Sequence, residues 1–173
     1  WPRSPSRPAP RRPQDNRMNG ERQGDGEGHG PPSPYAAGGP YWCGSTIGGC
    51  GCAISSLTML ARHHGFSTGL DGSAVNPRNL NAWLNENGGY TPNGSVIWNY
   101  ALQYFSPNVG VSNLTLDHHN ATSESLINQY VEDDQLAIAY KESKGHYFVL
   151  SDVLSGGGYA VRYPLWSETK TTN

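Results

Sequence analysis

The residues best suited to chemistry in this chain are Cys52 and His146, a nucleophile type and a base type that lie far apart in the sequence. Cysteine attacks as the thiolate, and the N-terminus of a helix lowers the thiol pKa by placing partial positive charge beside the sulfur. Cys52 opens a run with apolar residues at helical spacing, and Gly51 before it permits a tight entry of the chain. We therefore predict an activated thiol at Cys52; the alternative is a cysteine buried in the core.

His146 begins a strongly β-prone run that continues with Tyr147 and Phe148. A histidine at the start of a strand can face a cleft, and nucleophile and base are commonly distant in sequence where a helix packs on a sheet. Cys52 and His146 are thus the predicted catalytic pair. The alternative is that His146 only begins a strand.

Four helices are predicted from the spacing of apolar residues and from their start and stop signals. They cover residues 52–64, residues 76–88, a stretch beginning at residue 95, and residues 122–131. Gly65 stops the first helix, and Asn76 as cap with Pro77 at the first position begins the second. In the third helix, Tyr100 is expected on the inward face.

Four strands are predicted from β-prone residues and the turn signals between them. They cover residues 111–116, 136–140, 146–153 and 159–163, with a Ser-Gly-Gly-Gly turn before the last. Helices therefore dominate the first part of the chain and strands the last part. This order predicts an α+β domain.

Four sequence strings together resemble one peptidase family. They are STIGGCGCAISSLTMLARHHG, LNAWLNENGGY, GHYFVLSDV and VRYPLW. In this order and spacing they are similar to the bacteriocin-processing (double-glycine leader) peptidase-like family, over roughly residues 35–170. The family has a Gly-Cys-Ala block that opens its central helix, a Leu-Asn-x-Trp-Leu helix that ends in Gly-Gly, and a Gly-His strand that supplies the base.

This resemblance implies a papain-like cysteine peptidase fold for residues 35–173, with an N-terminal helical part packed on a C-terminal antiparallel sheet. It implies hydrolysis of a peptide or amide bond in a peptide or protein substrate, through a thioester on Cys52 with His146 carrying the proton. Neither a metal nor an organic cofactor is expected.

Two positions depart from the family pattern. Tyr35 and Trp42 match a motif in which a Gln completes the oxyanion hole, but Ala37 stands at the Gln position. The family's Asp that orients the histidine lies just before a Pro, and Tyr163 stands there as a possible third group. The departures leave open an alternative function: a catalytically inactive papain-like domain that serves binding or structural assembly.

The three cysteines lie within ten positions, at Cys43, Cys50 and Cys52. Cys43 and Cys50 are candidates for a loop disulfide, which would leave Cys52 as the free thiol; the alternative is three free thiols. A zinc site that uses Cys52 with His63 or His64 is disfavoured, because about three helical turns, roughly 16–18 Å, separate them.

The charge pattern bears on partners. The chain has 12 Lys plus Arg and 14 Asp plus Glu, a net charge of −2, which gives no global electrostatic reason to expect nucleic acid as a partner. Residues 1–34 are rich in Pro, Arg and Gly and have few aliphatic side chains, so we predict a disordered or extended tail or linker, with docking or self-association as its possible role. No apolar run is long enough to span a membrane.

Three sequons suit a secreted glycoprotein, and they lie at Asn93, Asn113 and Asn120. Together with the cysteine pattern they favour an extracellular or cell-surface location.

Overall fold

The computed structural model describes residues 47–92, 94–105, 123–133, 135–164 and 169–172. Several predictions lie outside these residues: the tail at 1–34, the strand at 111–116, Ala37, Cys43, and the sequons at Asn93, Asn113 and Asn120.

Five α-helices lie in the described part of the chain: α1 Ile47–Cys50, α2 Cys52–His63, α3 Pro77–Glu86, α4 Trp98–Tyr104 and α5 Glu124–Glu132. The prediction of α2 is confirmed, and Gly65 follows it with a φ of 90°, in the left-handed region that favours glycine. The prediction of α3 is confirmed as well. Asn76 caps it by accepting a hydrogen bond from the backbone N–H of Asn79 at 2.9 Å.

The predicted start of the third helix was wrong. Helix α4 begins at Trp98, because Val96 pairs with Tyr90 in an isolated β-bridge. The N–H of Ile97 then donates to the carbonyl of Gly89 at 2.9 Å, so the chain is still extended at that point. Tyr100, which was expected on the inward face, is 39% exposed.

Within the residues that the structure describes, four antiparallel strands form one sheet in the order β1-β2-β3-β4. They are β1 Ala137–Lys141, β2 His146–Val153, β3 Tyr159–Arg162 and β4 Thr169–Thr172. A short 3-10 helix, Glu142–Lys144, joins β1 to β2 and places Lys141 opposite His146. Helix α1, the 3-10 helix and β4 were not predicted from the sequence.

Helices lie on both faces of the sheet. Alternate side chains of a strand point to opposite faces, and Val149 of β2 packs with Met59 of α2. The neighbouring Phe148 packs with Val131 of α5. The described chain is therefore an α+β structure in which β2 lies between α2 and α5.

A second hydrophobic cluster holds α2, α3 and α4 together. Its largest fully buried side chains are those of Leu57, Leu80, Leu84, Tyr104 and Phe105. This cluster fixes α2 along its length, so the start of α2 is held at a defined position over β2.

None of the described helices is long and apolar enough to cross a membrane.

Candidate active site

The entry to α2 depends on a close backbone approach at Gly51. The N–H of Gly51 donates to the carbonyl of Ile47 at 2.7 Å. A Cβ at position 51 would lie 2.5 Å from that same oxygen and 2.6 Å from Cγ2 of Ile47. The φ of Gly51 is −82°, which any residue adopts, so space rather than conformation requires the glycine.

The first residue of α2, Cys52, carries a free thiol that is partly buried. Cys50 is disulfide-bonded. The third cysteine of the chain, Cys43, lies outside the described residues. The sulfur at the start of α2 is therefore the free thiol of the described chain.

The pKa of the Cys52 thiol is raised above its ordinary value. Burial raises its pKa, and the backbone N–H groups of Tyr147, Ala53 and Cys52 itself act in the opposite direction without overcoming the burial. The N–H groups at the start of the helix lower the pKa of this thiol, as expected, but burial raises the pKa by more. The partial positive charge at the helix end is present, but the loss of solvent around the buried sulfur has the larger effect on the pKa.

The backbone N–H of Tyr147 places the Cys52 sulfur at the start of β2, because Tyr147 directly follows His146 in that strand. The ring of Tyr147 lies between two other aromatic rings, with centroid distances of 5.4 Å to Trp98 and 4.7 Å to Tyr140. The structure thus brings Cys52 to the strand that begins with His146.

His146 is partly buried, and burial lowers the pKa of its imidazole. Its ring lies against the ring of Tyr163, with centroids 6.0 Å apart and planes inclined by 21°. Among the described residues, no hydrogen bond joins the Cys52 sulfur to the His146 ring. At neutral pH the resting pair is therefore a thiol and a neutral imidazole rather than a thiolate and an imidazolium.

Other polar residues lie away from the sulfur. Asp152 is exposed and lies six residues along β2 from His146, roughly 20 Å in an extended strand. The carbonyl of Gln135 accepts a hydrogen bond from His64 Nε2 at 3.1 Å, at the opposite end of α2 from Cys52. In the described ranges, no group of three or more His, Cys, Asp or Glu residues is arranged to hold a metal ion.

Sequence reasoning missed the role of Tyr147. Its N–H faces the nucleophile candidate, and its ring covers the same region together with Trp98. Side-chain alternation could have placed the Tyr147 ring on the face of β2 where Val149 meets α2, but it gave no signal for the N–H. The same alternation places the His146 ring with Phe148 and Tyr163 on the other face, so the described structure shows the Tyr147 backbone at the sulfur and no contact there from the His146 ring.

Comparisons with protein-family models, with curated proteins and with solved structures find no match to this chain.

Proposed function

We propose that this domain is a cysteine-dependent hydrolase that cleaves a peptide or amide bond, with a papain-like arrangement similar to that of the bacteriocin-processing peptidases. Cys52 is the nucleophile and His146 the base. One observation carries the proposal: the free thiol at the start of α2 faces the backbone N–H of Tyr147, next to His146 at the start of β2.

The neutral state of both groups defines the order of the chemical steps. As the Cys52 sulfur forms a bond to the substrate carbonyl carbon, its proton moves to the neutral imidazole of His146. The imidazolium then gives that proton to the leaving amine as the carbon–nitrogen bond breaks, which leaves a thioester on Cys52. Water attacks the thioester with His146 again accepting a proton, and the carboxylic acid and the free thiol are released.

The negative charge that develops on the carbonyl oxygen needs donors. The backbone N–H groups of Cys52 and Ala53 at the start of α2, and that of Tyr147, all face the sulfur region. Removal of one such donor costs about 100- to 1,000-fold in rate in other enzymes. Ala37 stands where the similar family has a Gln that donates to the oxyanion, and an alanine side chain has no donor. The main-chain N–H groups support the proposal because they can donate to the oxyanion instead.

Selective labelling combined with turnover tests this function. We expect iodoacetamide to label one cysteine in the folded, unreduced chain, Cys52, and a peptide library to be hydrolysed by the same sample. Cys52→Ala should abolish both signals, and His146→Ala should abolish hydrolysis while the thiol remains available for labelling. Cleavage of the library by Cys52→Ala at the wild-type rate would contradict the proposal.

A second candidate function is a non-catalytic domain used for binding or assembly. It is favoured by the neutral resting forms of Cys52 and His146 and by the lack of a hydrogen bond between them in the described chain. In that case residues 1–34 would dock onto a partner or a second copy. Labelling of Cys52 no faster than that of the unfolded chain, with no hydrolysis across the library, selects this function.

The bonded state of Cys50 supports an extracellular or cell-surface location, because disulfides persist in oxidising compartments. We propose glycosylation at the three sequons on the same basis. Mass spectrometry of the protein purified from its native source, before and after enzymatic removal of N-glycans, tests both.

A further inference from the structure

Tyr163 makes two ring contacts at the start of β2. Its ring centroid is 6.0 Å from that of His146, with planes inclined by 21°, and 5.4 Å from that of Phe148, with planes inclined by 37°. Tyr163 directly follows β3 and precedes Pro164, which is buried. The tyrosine ring is therefore held between a strand end and the hydrophobic cluster around Phe148, and it presents its face to the imidazole.

A histidine that transfers protons needs a fixed ring orientation, and in many enzymes a carboxylate provides it. Burial is the cause of the lowered pKa of His146, and in the described residues no carboxylate contributes to it. The titratable residues that the described chain places beside His146 are Lys141 opposite it on β1, Tyr147 next to it in β2 and Tyr163 after β3. Cys52 of α2 approaches the backbone of Tyr147. A ring contact is thus the contact on this imidazole that can set its orientation.

We infer that Tyr163 is a positioning residue that holds the His146 imidazole through the contact of the two ring faces, in place of a carboxylate. The inference rests on the proposed function, because it assigns to Tyr163 the orientation of the proposed base. Contact through the ring face occupies neither nitrogen, and neither ring nitrogen of His146 makes a hydrogen bond to another described residue. Both nitrogens are therefore left for proton transfer.

A tyrosine ring beside His146 affects the pKa of the imidazole differently from a carboxylate. An anion beside the ring would stabilise the imidazolium and raise the His146 pKa, whereas an aromatic neighbour that excludes water leaves the imidazole neutral. His146 is then ready to accept a proton at neutral pH without prior deprotonation. The rate of Cys52 acylation is expected to fall only when the pH drops through the lowered pKa of His146.

The test uses three substitutions of Tyr163 and one matched control in the full chain. Tyr163→Phe keeps the ring, Tyr163→Ala removes it, and Tyr163→Asp restores a carboxylate. Tyr159→Ala is the control, because Tyr159 packs against the same cluster as Phe148 but pairs with Val153, about 23 Å along β2 from His146 at roughly 3.3 Å per residue. Proton NMR reports the chemical shifts and the pKa of His146, and acylation of Cys52 by a peptide thioester or ester reports the rate.

The ring contact predicts a distinct pattern. In Tyr163→Phe the His146 signals keep their ring-current shift and the acylation rate stays within about 3-fold of wild type. In Tyr163→Ala the ring-current shift is lost, the pKa rises toward the ordinary histidine value, and the rate falls by about 100-fold, the loss typical of a displaced reacting group. Tyr163→Asp raises the pKa of His146 above that of wild type, and Tyr159→Ala leaves the His146 signals unchanged.

Two results would overturn the inference. Loss of the shift and of the rate in Tyr163→Phe to the same degree as in Tyr163→Ala would assign the effect to the hydroxyl group. Unchanged His146 signals in Tyr163→Ala would show that the ring does not hold the imidazole. The NMR readout is independent of turnover, so failure of the proposed function, seen as no acylation of wild type, is distinguishable from failure of the ring contact.

Discussion

The sulfur of Cys52 faces the backbone N–H of Tyr147, the residue that follows His146 at the start of β2. This relationship joins the beginning of a buried helix to the beginning of a central strand. The N–H of Tyr147 lowers the pKa of the thiol, but burial of the sulfur raises that pKa by more.

The alkylation of Cys52 should depend on pH in a way that shows this burial. We expect the rate of iodoacetamide alkylation of the folded chain to reach half its maximum above the ordinary thiol pKa, about 8.5, because the thiolate is the reactive form and burial raises the Cys52 pKa. Rate measurements between about pH 6 and 10 on unreduced protein give the profile. The same cysteine in the chain unfolded in urea serves as the reference, and a folded-state midpoint below that reference would contradict the prediction.

Gly51→Ala should disturb the start of α2. The added Cβ would meet the carbonyl oxygen and Cγ2 of Ile47, so the backbone between α1 and α2 must shift. We expect a loss of about 1–3 kcal/mol in the free energy of unfolding, measured by urea denaturation, together with a change in the rate of Cys52 alkylation.

The matched control for that substitution is Gly156→Ala. No heavy atom lies within 4 Å of the Cβ added there, and the φ of Gly156 is outside the left-handed region. Its effect should stay within about 0.5 kcal/mol, as for most surface substitutions. Equal losses in the two variants would show that contact with Ile47 is not the cause.

His146→Asn should reduce the dependence of stability on pH. Burial lowers the His146 pKa in the folded state, so the unfolded chain binds a proton more readily. This contribution to stability is fully present above the unfolded pKa, about 6.5, and is lost as the pH falls through the folded pKa. Thermal unfolding of wild type and variant between about pH 7.5 and 5 should show a steeper loss for wild type, and parallel curves would contradict the assignment.

Asn76→Ala should destabilise α3. The side chain of Asn76 accepts a hydrogen bond from the N–H of Asn79, and its loss leaves one end of the helix without a cap. We expect a decrease of about 1 kcal/mol in the free energy of unfolding, read from urea titrations. Asn76→Ser, which retains a capping oxygen, should recover most of the difference; if serine and alanine destabilise equally, the capping explanation fails.

Local signals in the sequence were sufficient for several elements. Asn76 with Pro77 marked the start of α3, Gly65 marked the end of α2, and the β-prone run after Gly145 marked β2 from its first residue. These features depend on capping hydrogen bonds, on backbone conformation and on apolar periodicity, all of which lie within a few residues along the chain. The α+β class followed from their order.

The first residue of α4 could not be predicted from the helical spacing of apolar residues. The residues before Trp98 continue a helical pattern, but pairing of Val96 with Tyr90 keeps them extended. The competing partner lies six residues earlier in the sequence, and this local pairing satisfies backbone groups that a helix would otherwise use.

The sequence by itself determined that a cysteine opens a helix and that a histidine opens a strand. The tertiary structure alone decided how these residues meet: the Cys52 sulfur beside the N–H of Tyr147, and the His146 ring against Tyr163. It also decided that burial outweighs the helix N-terminus in setting the thiol pKa. The physical reason is that desolvation and ring contact depend on groups brought together from distant parts of the chain, whereas the charge at a helix end is set by the local backbone.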